Sequence, residues 1–274
     1  MDLSIIIPCY NKEQYLDSCV RSVLEQTLVP DEIIIVDDCS KDKSREIILE
    51  LTKQDSRIKP IFQTENKGVS AARNRGVAES KSKYVTMLDA DDILINPRKL
   101  ENEMELIRKN DKKPRTVVYS LTQVIDAQGN RLEQQVYQKE DMAIGENTRA
   151  GLLSGKYLNQ YIPRDYCVEK DFLLSCGGFN ESMNYYEDLD LLLRMSKEAN
   201  FVCTLQPGTG YRQLDNGLSS QSLKRHKMTM KEFKDTYWSD LLISEKIVFH
   251  IDRIQGKLKR GVRKIIRCGV DNDV

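Results

Sequence analysis

Three carboxylates, Asp89, Asp91 and Asp92, stand within four residues at the end of the hydrophobic run YVTMLDADDILIN, residues 84–96. Like charges so close repel one another unless a cation or hydrogen-bond donors neutralise them. Oxygen-only ligands of this kind suit Mg2+ or Mn2+, which take one or two carboxylates together with substrate phosphates. The cluster therefore points to a metal, and the metal to a diphosphate. A second acidic pair, Asp37 and Asp38, ends EIIIVDD, and a third, Glu187 and Asp188, sits inside NYYEDLDLLLRM. Tyr10 and Asn11 follow SIIIPC, while Asn66 and Lys67 precede Gly68 and a helical stretch, a combination that describes an anion site at a helix N-terminus. Each feature also has an ordinary reading. Acidic residues after strands form turns and caps, and those at helix starts answer to the macrodipole. Capping does not explain Asp91 or Asp92, because ILIN follows them and the next helix signal is at Asn96 and Pro97.

The elements that must carry these residues show in the hydrophobic pattern. LSIII is a short buried run ended by Pro8. Behind it Leu16, Cys19, Val20, Val23 and Leu24 recur at helical spacing, with Asn11 and Gln14 placed as an N-terminal capping box. EIIIV is a second strand, broken by DDCSKDKS, after which Ile47, Ile48 and Leu51 mark one face of a helix. IKPIFQ, NKGVSAARNRGVAES and YVTML continue as strand, helix and strand. Apolar strands alternating with amphipathic helices imply an α/β domain whose sheet is doubly wound, mostly parallel and covered on both faces. Ligands of such sheets bind beyond the carboxyl ends of the strands, which is where Tyr10, Asp38, Asn66 and the acidic cluster fall. Later in the chain CGGF, residues 176–179, reads as a helix terminator. Leu189, Leu192 and Leu193 then form the buried stripe of the helix that Glu187 and Asp188 begin.

The 274 residues carry 42 basic and 42 acidic side chains, so the net charge calls for no polyanion and no nucleic-acid partner is expected. The 7 scattered cysteines show no CxxC spacing and read as reduced core residues of a cytoplasmic protein. The N-terminal apolar run is too short for a signal peptide, and no stretch approaches the roughly 20 apolar residues that span a bilayer.

Taken together, SIIIPCYN, IIIVDDCSKDKS, ENKGVSAARNRG, YVTMLDADD and GGFNESMNYYEDLDLLLRM make the chain resemble the GT-A glycosyltransferases of the family 2 type, largely bacterial inverting enzymes that use nucleotide sugars. The resemblance covers residues 3–212 and implies a GT-A fold. It implies that Pro8, Tyr10 and Asp38 contact the base and ribose, and that Asn66 and Arg73 line the nucleotide pocket. Asp89 and Asp91 match the family's two defining carboxylates, with Asp91 similar to the one that binds the metal, Mg2+ or Mn2+, and Asp92 a candidate to share it. Asp188 matches the general base, with Glu187 in support. The implied reaction moves one sugar from a nucleotide diphosphate donor, UDP-linked, to a glycan or lipid-linked acceptor in surface polysaccharide synthesis. The QxxRW signature of processive synthases is absent. Many relatives have a His in the segment matching YRQLDNGLSS, residues 211–220, where this chain has Leu214. His226 and His250 read as surface or packing residues.

Three segments are expected: a nucleotide-sugar-binding half over 1–120, an acceptor-side half over 121–220, and a C-terminal amphipathic helical tail over 221–274. In the tail Ile243, Ile247, Val248, Ile251, Ile254, Leu258, Val262 and Ile265 recur three or four residues apart. Lys257, Lys259, Arg260, Arg263, Lys264 and Arg267 then arrive with no acidic residue among them. Such a stretch suits an anionic surface on the inner face of the cell membrane, where a lipid-linked acceptor is presented. Packing on the catalytic domain and a homodimer contact are the alternatives. Rival functions have weaker support. A sugar-1-phosphate nucleotidyltransferase calls for a glycine-rich first loop, which IIIPCYNKE lacks. A non-catalytic membrane-surface module rests on the tail alone, and a NAD-linked oxidoreductase lacks GxGxxG after the first strand.

Overall fold

The computed structural model describes residues 2–111, 115–136, 148–154, 165–183, 185–214 and 223–254. The chain divides into a larger unit, residues 1–145 with 162–220, and a smaller one, residues 146–161 with 221–274. The larger unit opens as alternating strands and helices: β1 Leu3–Cys9, α1 Leu16–Leu24, β2 Glu32–Asp37, α2 Ser44–Gln54, β3 Ile58–Phe62, α3 Val69–Glu79 and β4 Tyr84–Met87. It continues with β5 Ile93–Leu94, α4 Lys99–Lys109, β6 Thr116–Ile125 and β7 Arg131–Val136. After α5 Thr148–Ser154, which belongs to the smaller unit, come β8 Cys167–Glu169, α6 Lys170–Ser175, α7 Glu187–Met195 and β9 Asn200–Arg212.

The strands run β3-β2-β1-β4-β8-β6-β9-β5 across one sheet, with β7 beside β6. The first four strands pair in parallel, β1 lying between β2 and β4. The three-residue β8 then joins β4 to β6, antiparallel to both, and β6 pairs in parallel with β9. Every residue of β1 is buried, which is what a central strand covered on both faces requires. Leu3, Ile5, Ile7, Ile33 and Ile35 pack with α1, α2 and α4 residues such as Val20, Ile48 and Leu100, while Ile34 and Val36 meet Ala72 of α3 on the opposite face. The helix α3 comes unusually close to the sheet. A Cβ on Gly76 would stand 2.4 Å from Ile6 Cγ2, so only glycine permits that approach.

Two expectations need correction. Pro8 does not end β1, which runs on to Cys9 with Pro8 in register with Val36. Leu88 N donates to the Ile6 carbonyl, so by ladder alternation the nitrogen of residue 8 faces the side of β4, and β4 has already ended at Met87. No partner is lost there. Asn11 and Gln14 do not cap α1 either, because the helix starts at Leu16 and its Tyr15 N-cap makes no side-chain cap bond. Asn11 sits in the left-handed region, φ 52°, and spends its amide oxygen on Lys41 N. The loop after β1 is thereby laced to the loop after β2, an arrangement Ser44 extends by accepting from Lys12 N.

The larger unit buries three charged groups together. Lys99 Nζ lies 2.9 Å from Glu103 and 3.5 Å from Asp165, and Ser120 and Thr209 donate to the two carboxylates. Burial pulls the Lys99 ammonium down, but Glu103 and Asp165 more than offset it and hold it above its ordinary value. Burial pushes the Glu103 carboxyl up to about 7, against the pull of Lys99.

The smaller unit contains α5, α8 Leu223–Tyr237 and α9, residues 243–254. The Arg149 guanidinium holds the buried Glu245 carboxylate through two bonds, of 2.6 and 3.2 Å. Glu245 also accepts from Leu242 N and so caps the start of α9. Trp238 stands edge-on to Phe249 at 5.0 Å, and His250 packs against both rings. His250 is thus a packing residue. The isoleucines at 243, 247, 251 and 254 do not form the buried face of α9, because Glu245 and Phe249 do. The expectations for residues 255–274 and for the His226 side chain lie outside the described residues.

A carboxyl whose folded pKa is raised keeps a proton that the unfolded chain has released, so its contribution is present below the unfolded value and is lost as pH rises through the folded one. For Glu103 that window runs from 4.5 to about 7. As pH rises across it, the stability difference is expected to move in favour of Glu103→Gln by an amount on the order of 1–3 kcal/mol, on top of a pH-independent cost from leaving Lys99 with Asp165 alone. Urea unfolding of both proteins at several pH values checks this, and parallel profiles would remove Glu103 as the source.

Candidate active site

The site lies on the rim formed by the carboxyl ends of β1, β2 and β4. Tyr10, the first residue beyond β1, is 44% exposed, whereas Pro8 is buried within the strand. Asp37, at the end of β2, accepts from Ser40 N, three residues on, and so ties down the start of the following loop. The next residue has a wider reach. The Asp38 carboxylate is buried and accepts from Lys67 N and Gly68 N, both at 2.8 Å, and from Gln63 Nε2 at 2.9 Å. Asn66 Nδ2 donates to the Asp38 carbonyl at 3.2 Å. One acidic side chain therefore fixes the loop that leads to the N-terminus of α3, where Gly68 takes φ 88°.

The three carboxylates after β4 do not face one another. Asp92 N donates to the Asp89 carbonyl, closing a turn that sends each side chain to a different element. Asp89 takes the Arg73 guanidinium of α3 at 2.7 Å. Asp91 takes the Lys12 ammonium, from the loop after β1, at 2.5 Å. Asp92 is buried and accepts from the backbone N of Arg212 in β9 at 2.8 Å, so it points away from the rim. Burial pulls the Lys12 ammonium down, but Asp91, then Asp89 and Asp92, raise it above its ordinary value, so it stays charged.

Arg73 is only 2% exposed and makes a second ion pair, to Glu187 of α7 at 2.7 Å. Its guanidinium also lies 5.2 Å from the Phe179 ring centroid. The neighbouring Asn74 brackets the backbone of Phe179, donating to its carbonyl and accepting from its N, each at 2.8 Å. Before this point the CGGF segment turns through Gly177, φ 87°, and Gly178, φ 64°, after α6 ends, as its glycines imply. A Cβ on Gly178 would come within 2.8 Å of Asn74 Oδ1. Tyr186, in the left-handed conformation at φ 62°, then delivers Glu187 inward and Asp188 to the half-buried start of α7. Asp188 Oδ1 accepts from Leu189 N at 2.7 Å. Beneath lies Tyr166, fully buried, whose phenol is pushed far above its ordinary value by burial and feels the charges of Arg73 and Asp188.

The rim thus brings together Tyr10, Asp38, Asn66, Arg73, Asp89 and Asp91, and one bridge ties Asp89 to the start of α7. Lys12, Asn74, Phe179, Tyr166 and Arg212 also belong to the arrangement, although no spacing marks them. In place of a histidine near Leu214, Arg212 stands behind the acidic turn, donating from Nε to the Asp91 carbonyl at 2.7 Å. Chemically, the rim joins an exposed ring, a charged ammonium and a rim carboxylate to an accessible carboxylate on the start of α7. Among the described residues no three metal-ligating side chains stand together.

The family described as Glycosyl transferase family 2 matches residues 4–155, more than half of the chain. EpsJ of Bacillus subtilis, an uncharacterized glycosyltransferase, is 30% identical over 229 residues, which cover 79% of this chain and 62% of that protein. TuaG of the same organism, named provisionally as a teichuronic acid biosynthesis glycosyltransferase, is 33% identical over 157 residues, 56% of this chain and 60% of its own. The chain spans less than two thirds of the length of both relatives. Among solved structures, residues 1–349 of S. aureus TarS in complex with UDP-GlcNAc share the fold, with a TM-score of 0.63 at 17% identity over 92% of this chain and 79% of that one.

Removing one partner of a buried ion pair leaves the other charge uncompensated. Arg73→Met is expected to cost about 3–5 kcal/mol, because it strands Glu187 and Asp89 together. Arg73→Met with Glu187→Gln should recover part of that loss. Urea unfolding of the parent, both single variants and the double variant measures the coupling, and a parental midpoint for Arg73→Met would remove the bridge from this account of the site.

Proposed function

Because the chain belongs to glycosyl transferase family 2, we propose that it moves one sugar, with inversion, from a UDP-linked donor to a hydroxyl of a glycan or lipid-linked acceptor in surface polysaccharide synthesis. The observation that carries this reading is the Glu187–Arg73–Asp89 bridge, which holds Asp188 in register with the acidic turn. A donor-side carboxylate and an acceptor-side base need such a common frame. The UDP-GlcNAc in the TarS structure, whose fold this chain shares, supports a uridine donor.

In this reading the exposed Tyr10 ring stacks on the base, with Pro8 forming the floor of the strand end beneath it. Asp38 and Asn66 shape the ribose side through the loop they hold, and Arg73 with Asp89 closes the inner wall. Lys12, charged throughout the working pH range, faces the diphosphate. Asp91, whose side chain is 21% exposed, is the rim carboxylate fitted to Mg2+ or Mn2+. Such ions take one or two carboxylates and complete their shell with substrate phosphates and water, so a single rim carboxylate meets the need. A bound ion supplies Lewis-acid stabilisation of the charge that develops on the departing diphosphate.

Asp188 takes the proton of the acceptor hydroxyl as its oxygen attacks the anomeric carbon from the side opposite the nucleotide. The new carbon–oxygen bond forms while the bond to the diphosphate breaks, and UDP leaves with the electron pair. Glu187 cannot share the proton without surrendering its pair with Arg73, so its part is positioning. None of the described helices is long and apolar enough to cross a membrane.

Asp188→Asn keeps size and one acceptor oxygen but takes no proton at neutral pH. Its kcat is expected to fall about 10²- to 10⁴-fold with little change in the dissociation constant for UDP. Glu187→Gln should lose less kcat and unfold earlier. Transfer rates and UDP calorimetry on both variants check this; a near-parental rate for Asp188→Asn would place the base elsewhere. Asp91→Ala should weaken UDP binding in the presence of Mn2+ while keeping the fold. Equal affinity in Asp91→Ala and the parent, each titrated with and without Mn2+, would overturn the metal assignment.

A further inference from the structure

The helix α9 carries apolar side chains on two opposite faces. One face, with Glu245 and Phe249, closes the interior of the smaller unit. The other presents Ile243, 80% exposed, together with Ile247, Ile251 and Ile254, each about half exposed, and Leu242 stands out just before them. Spacings of four, four and three residues place these isoleucines along a single stripe. Scattered apolar residues on a surface need no explanation, but a continuous stripe does. Its charge surroundings narrow the choice of cover. Between residues 253 and 270 there are seven basic side chains and no acidic one, in a chain whose charges otherwise balance.

We propose that this stripe docks the smaller unit on an anionic membrane surface. The isoleucines would enter the boundary between headgroups and acyl chains while the cations meet acidic headgroups. A second copy of the chain carries the same excess of basic residues over 253–270 and so offers no opposite charge. A nucleic acid offers phosphate but no apolar layer for the isoleucines. The inference is independent of the role given to Asp188, and its test reads binding without turnover.

Sedimentation of the full chain with vesicles of equal parts phosphatidylglycerol and phosphatidylcholine, and with phosphatidylcholine vesicles alone, tests it. The parent is expected to bind the first and not the second. Ile247→Asp with Ile251→Asp should lower that affinity at least about tenfold, with an unchanged thermal midpoint because both side chains are exposed. Deleting residues 255–274 should do at least the same, since each basic residue near an anionic surface contributes about fivefold. The proposal fails if the parent binds neither vesicle, binds both equally, or keeps its affinity in the two variants. It also fails if the double substitution instead converts a dimer to a monomer without affecting vesicle binding.

Discussion

Arg73 carries a permanent charge where water does not solvate it, and two carboxylates from distant parts of the sequence keep it there. Asp89 is 16 residues away and Glu187 is 114. The guanidinium suits this role because its planar fork can satisfy two oxygens on separate side chains at once, which a lysine cannot do with the same directionality. The close packing of α3 on β1 at Gly76 makes the anchor rigid. Asn74, one residue further along α3, fastens the Phe179 backbone to the same helix. Two successive side chains of α3 therefore set the position of the whole segment that leads into α7.

The acidic turn after β4 follows the same logic in the opposite sense. Three neighbouring negative charges are tolerable because each has been given a different donor: a guanidinium for Asp89, an ammonium for Asp91 and a backbone N–H for Asp92. These donors come from α3, from the loop after β1 and from β9, so the turn gathers elements on several sides of the sheet. Only Asp91 combines a position on the rim with a partner that is itself flexible and partly exposed. The division of labour among the three acids is thus set by their neighbours, since their chemistry is identical.

Much of this was legible in the sequence. The parallel half of the sheet announced itself because its central strands β1 and β2 are buried on both faces and read as unbroken apolar runs. The rim residues were legible for a related reason: polar side chains at the ends of such runs have nowhere to go except the ligand edge. What pairing contributes was not legible. No local pattern tells that Asp38 is occupied by the loop after β3, that Arg73 bridges two acids, or that Lys12 reaches Asp91 across 79 residues. The three-residue β8 is too short to leave a periodic trace, yet it connects the two halves of the sheet. Asn11 fitted a capping box by spacing alone, but its left-handed backbone took it out of that role. In the tail the spacing of the isoleucines marks a helical stripe but not the way it faces, which a buried ion pair, Arg149 with Glu245, decides for α9.

If Asp91 takes a cation as proposed, its contact with Lys12 makes that binding an exchange reaction. An ion on the Asp91 oxygen that holds Lys12 would displace the ammonium, and would gain less from that carboxylate than from a bare one. The displaced ammonium is left beside the place where a diphosphate would lie, and an anion arriving there finds it already released. Ion and anion would then assist one another, each lowering the cost of the other's entry, and by reciprocity the gain in affinity would be equal in both directions. A rim wired in this way would discriminate against either component alone and respond to the two together.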